Sequence, residues 1–146
     1  MEKQQHRITI NAPKEKVWTT LWDLNTYNKW TSAFSESSNV QTDNWKKGSK
    51  VLFTDGTNNG MVSRIDENIP NEFMSFEHLG EMRDGIEDTT SERVAAWKGA
   101  HENYTLKETN GKTDLLVEID ISDEYAQMFA EMWPKALNKV KDLSER

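Results

Sequence analysis

The residues of this chain that could do chemistry are few. There are three histidines and no cysteine, so disulfides, thiolate metal sites and thiol nucleophiles are excluded. His78 and His101 could ligate a metal together with Glu102, because neutral imidazoles and carboxylates are suitable donors. Their spacing matches no compact metal motif, and each histidine reads first as a satisfied structural residue, so neither a metal nor a cofactor is expected. A nucleophilic Ser63, Ser75 or Ser91 would need an orienting base and an oxyanion hole, and no Gly-x-Ser-x-Gly elbow presents any of them. General acid/base work by His78, Tyr104 and Glu102 remains. No residue is assigned a catalytic role, and a binding protein is favoured over an enzyme.

The positions of these groups follow from strand parity. His78 shares a face with Met74 and Phe76 and is the one ionisable residue there. Buried and neutral, its ring could donate one hydrogen bond, accept another and orient a polar group on an apolar guest. Glu102 falls on the face of Tyr104, where a dry, lone carboxylate would be costly. Either that strand end is wet or Glu102 pairs with Arg64, Arg83 or Arg93.

The supporting elements can be read in order. Arg7 to Asn11 alternates as a first strand stopped by Pro13, and the next residues set Val17, Trp18, Leu21 and Trp22 on one side of a helix. A second short helix runs from Leu24 to Thr31 after a break at Asp23. Strands follow at Asn39 to Thr42, Lys50 to Thr54, Met61 to Asp66, Glu72 to Leu79, His101 to Glu108 and Lys112 to Ile121, the last two joined by an Asn110-Gly111 hairpin signal. Gly80 to Gly99 reads as an irregular stretch with a short helix capped by Thr90 or Ser91. It is expected to fold over one mouth of a cavity, with Trp97 in the wall.

From Ser122 to Leu143 the period is helical. Tyr125, Met128, Phe129, Met132, Ala136, Leu137, Val140 and Leu143 form one stripe, with Ser122 as N-cap. Pro134 interrupts the hydrogen bonding at a cost of roughly 3 kcal/mol and predicts a bend near Trp133.

The 146 residues suit one domain, residues 1–146. A net charge of −7 opposes a nucleic-acid partner. No apolar run reaches ten residues, so no signal peptide or membrane span is expected and the chain reads as cytoplasmic. The acidic runs Asp84 to Glu92 and Asp120 to Glu124 read as solvated faces and a helix start. The oligomeric state is not set by the sequence.

Ile8-Thr9-Ile10-Asn11-Ala12-Pro13, Lys16-Val17-Trp18 and Asn28-Lys29-Trp30 resemble the opening of the START-like (SRPBCC) superfamily. Gly48-Ser49-Lys50-Val51, Gly60-Met61-Val62 and the terminal Phe129, Trp133 and Leu137 continue the likeness over nearly the whole chain. It is greatest to the bacterial branch named after the activator of the heat-shock-protein-90 ATPase. The resemblance implies an α+β helix-grip fold: a curved antiparallel sheet of six or seven strands wrapped around a long C-terminal helix, with two short helices after the first strand. It also implies a cavity between sheet and helix for a small apolar or aromatic molecule. The residues expected to line it are Trp30, Phe34, Phe53, Met74, Phe76, His78, Trp97, Tyr104, Met128, Met132 and Trp133. Two alternatives follow from relatives: a domain that docks on a chaperone, and a polyketide cyclase or dehydratase using acid/base groups in the cavity.

Overall fold

The computed structural model describes residues 1–146. The chain runs through β1 (Glu2–Ile10), α1 (Lys14–Trp22), α2 (Leu24–Trp30) and a 3-10 turn (Thr31–Ala33). Next come β2 (Asn39–Thr42), β3 (Lys50–Thr54), β4 (Gly60–Ile69), β5 (Phe73–Arg83) and β6 (Ile86–Asp88). α3 (Glu92–Ala95), β7 (His101–Thr109), β8 (Lys112–Ile121) and α4 (Asp123–Ser144) follow. Seven strands form one antiparallel path, β1-β8-β7-β5-β4-β3-β2, and the short β6 adds to β5. This is the α+β helix-grip layout expected from the sequence.

Local chemistry explains most boundaries. Asp23 ends α1 and caps α2, its carboxylate accepting from Asn25 N at 2.8 Å. The β7–β8 turn places Asn110 and Gly111 at positive φ, as a tight hairpin requires. β1 begins earlier than its apolar alternation indicates, because Glu2 to Arg7 pair residue by residue with β8. Its polar side chains suit the edge position it occupies. The stretch after Gly80 is more regular than expected: β5 continues to Arg83, turns at Asp84-Gly85, both at positive φ, and returns as β6. That Asp-Gly turn lies between charged rather than alternating apolar residues, which hides the hairpin in the sequence. α3 is capped by the Ser91 side chain, which accepts from Val94 N.

α4 is one helix of 22 residues that passes through Pro134, starting after Ser122, whose side chain makes no capping bond. Its second half buries Trp133, Ala136, Leu137 and Val140, where the helix lies against β1, α1 and α2. Its first half is only partly covered. Phe129 and Met132 are half-buried, whereas Tyr125 is 47% and Met128 42% exposed. The apolar stripe is therefore longer than the surface available to cover it. No helix is long and apolar enough to cross a membrane.

Leu137→Ala should cost about 2–5 kcal/mol in denaturant unfolding, because that side chain is sealed in the core. Met128→Ala should stay within about 0.5 kcal/mol. Equal losses would mean that the first half of α4 is covered in solution.

Candidate functional site

The concave face of the sheet divides into a closed and an open end. At the closed end, five of the expected cavity residues, Trp30, Met74, Phe76, Tyr104 and Trp133, are fully buried. The Tyr104 ring meets Trp22, Trp30, Phe76 and Trp133 edge-on, with centroids 4.8–6.4 Å apart. Trp30 is further fixed by its indole N–H, which donates to Leu21 O at 3.1 Å. A guest could enter this end only by displacing the rings. At the open end Phe34, Phe53 and Phe129 are half-buried against the core. Phe34 contacts both Phe129 and Trp133, while Phe53 contacts Phe76 and His78. Met132 is half-buried and Met128 exposed. Trp97 is half-buried beyond α3, outside the aromatic core.

A chain of polar side chains crosses this open end. Ser63 Oγ and His78 Nδ1 are 2.6 Å apart, and His78 Nε2 is 3.2 Å from Glu102 Oε1. The Tyr104 hydroxyl donates to Glu102 Oε2. A carboxylate can only accept, so the neutral form of the His78 ring has its hydrogen on Nε2 and receives the Ser63 hydroxyl at Nδ1. Backbone geometry holds the ring in place. His78 N donates to Ala100 O at 2.8 Å and Gly99 N donates to His78 O at 2.9 Å. Gly99 adopts φ +95°, a turn that only glycine takes without strain.

Ser63 reaches the same face through a bulge. Val62 pairs with Gly80 and Ser63 with His78, so Leu79 is the extra residue on β5. Without it Ser63 would oppose Leu79. A bulge leaves no mark in residue types, so the sequence alone does not bring Ser63 to His78.

The partners of Glu102 also differ from those expected. Arg64 donates to Glu77 at 2.5 Å and to Asp66 at 3.0 Å, while Arg83 and Arg93 both face Glu81. None of the three reaches Glu102. His101 meets Asp66 at 3.2 Å, apart from the His78–Glu102 pair, so these three residues do not converge as a metal site would require. Burial pushes the Tyr104 phenol well above its ordinary value, and the negative charge of Glu102 adds to the shift. Tyr27 moves the same way for the same two reasons.

Chemically, Ser63, His78 and Glu102 follow the order of a hydrolytic triad, but Ser63 is 0% exposed and its hydroxyl is committed to the ring. A substrate carbonyl has no path to it. Both nitrogens of His78 are likewise occupied. The member with the most accessible surface is Glu102, whose side chain is 22% exposed. Nearby, the buried indole N–H groups of Trp22 and Trp133 have no acceptor, each a cost of about 1–3 kcal/mol. An open groove of about 480 Å³ lies elsewhere along the β2 edge, lined in part by Leu24, Val40, Trp45 and Leu52. It shares no residue with the polar chain.

Because Tyr27 and Tyr104 stay protonated in the folded protein while the unfolded chain ionises near pH 10, the native state binds more protons above that value. Stability should therefore fall as pH rises past about 10. Absorbance titration should show two of the three tyrosines ionising only with unfolding. Ionisation of all three before unfolding would show the phenols to be solvated.

A family model described as activator of Hsp90 ATPase homolog 1-like protein matches residues 11–145. No curated protein matches the chain. Among solved structures, it is similar to the Aha1 dimer from Colwellia psychrerythraea, at 20% identity and TM-score 0.70 over 99% of this chain and 97% of that one. Protein CV1439 from Chromobacterium violaceum is 17% identical, with TM-score 0.71 over 100% and 99%. CalU16 from Micromonospora echinospora is also 17% identical, with TM-score 0.67 over 97% and 75%. At these identities the likeness carries the fold alone. With the family model covering all but its first strand and last residue, the chain belongs to the family of activator of Hsp90 ATPase homolog 1-like proteins.

Proposed function

We propose that this protein binds a small hydrophobic or aromatic molecule at the open end of the concave face, between the sheet and the first half of α4. The observation that carries this reading is a partly exposed carboxylate, Glu102, fixed by two protein donors on an otherwise aromatic surface. Ligand sites in general pair apolar walls with a few oriented polar groups. Phe34, Phe53 and Phe129 supply the walls, with Met132 beside them as an adaptable side chain. His78 then acts by positioning Glu102, a different role from the direct contact its place on the strand first implies.

A second reading, docking on a chaperone, is favoured by the family and by the uncovered Tyr125 and Met128 on α4. It predicts that the protein stimulates the ATPase of a heat-shock-protein-90 homologue, and that Met128→Glu abolishes the stimulation.

Titration with the neutral fluorophore N-phenylnaphthylamine separates the two. The small-molecule reading expects saturable binding, weakened roughly tenfold by Phe53→Ala or Phe129→Ala and unchanged by Met128→Glu. No saturable binding, or equal binding by all variants, would refute it.

A further inference from the structure

The polar chain is arranged so that every proton within it points inward. With the His78 ring neutral, Ser63 donates to His78 and His78 donates to Glu102, and Tyr104 also donates to Glu102. Two of the roughly four acceptor positions of the carboxylate are thereby used. What the chain presents to the open end is its remaining acceptor capacity, together with a negative charge that no lysine or arginine neutralises. Its neighbours across the sheet are Phe76 on one side and Ile119 on the other. Neither offers a counter-charge.

A guest seated over Glu102 would strip away the water that now reaches it. For a neutral guest this desolvation is an uncompensated loss, since a buried carboxylate is tolerated when it is paired and hydrogen-bonded. A cationic guest repairs the loss, with its N–H groups forming charge-assisted bonds to the carboxylate. The half-buried ring of Phe53, which meets His78, favours a cation as well. We infer that the guest is an apolar or aromatic amine, bound with its ammonium group on Glu102 and its hydrocarbon part among Phe34, Phe53 and Phe129. This rests on the proposed small-molecule site and goes further by assigning the charge of the ligand.

Three probes of one shape test it: naphthylmethylamine, naphthalenemethanol and naphthoate, cationic, neutral and anionic at neutral pH. Each is titrated into the intact protein by calorimetry. The amine should bind at least roughly tenfold more tightly than the alcohol, and the naphthoate most weakly. Glu102→Gln, which keeps an acceptor for Tyr104, should bring amine and alcohol to within about twofold of each other. Alcohol binding equal to or tighter than amine binding in the wild-type protein overturns the charge assignment while leaving the small-molecule site intact. An amine preference that survives Glu102→Gln places the ammonium elsewhere and also overturns it. If none of the three binds, the inference and the site on which it rests both fail. The wild-type series decides the matter even if the variant does not fold.

Discussion

Tyr104 joins the two halves of this structure. Its ring is enclosed by Trp22, Trp30, Phe76 and Trp133, and its hydroxyl serves the Glu102 carboxylate. The aromatic enclosure fixes where the hydroxyl can be, and the hydroxyl fixes where a charged group can be tolerated on the inner face of a sheet. His78 completes the constraint from the neighbouring strand, held by Ser63 on one nitrogen and by the backbone of Gly99 and Ala100 behind it. Removing one partner of such a chain exposes the others to the full cost of an unsatisfied buried polar group, which is larger than the net value of any one bond.

The same constraint divides the interior. The rings that secure Tyr104 fill the space which a helix-grip fold could leave as a deep cavity, so the proposed site lies at the end where Phe34, Phe53 and Phe129 are half-covered and Glu102 meets solvent. α4 follows this division, burying its second half and leaving Tyr125 and Met128 outside. Under the proposed function a few side chains at one end of the grip form the site, and the remainder acts as a frame for them.

Much of the frame is legible in the sequence. Strand alternation in β8, the Asn110-Gly111 turn, the break at Asp23 and the helical stripe after Ser122 are local signals, and local physics decides them. Parity correctly sets His78 with Met74 and Phe76, and Glu102 with Tyr104. The pairings between strands are another matter. The Leu79 bulge that brings Ser63 to His78 is a property of two strands, so neither strand alone encodes it visibly. The three arginines nominated for Glu102 each have a nearer carboxylate, a competition that appears only once all side chains are placed. The polar start of β1 becomes a strand because β8 offers it an edge, which overrides weak local preference.

The proposed guest sits over Glu102 and not in the groove along β2. The most direct measurement is a set of intermolecular nuclear Overhauser effects from a bound naphthyl probe to isotope-labelled phenylalanine, leucine and valine side chains. Contacts with the rings of Phe53 and Phe129 are the predicted result. Contacts with the methyl groups of Leu24, Val40 and Leu52 in their place would contradict the account.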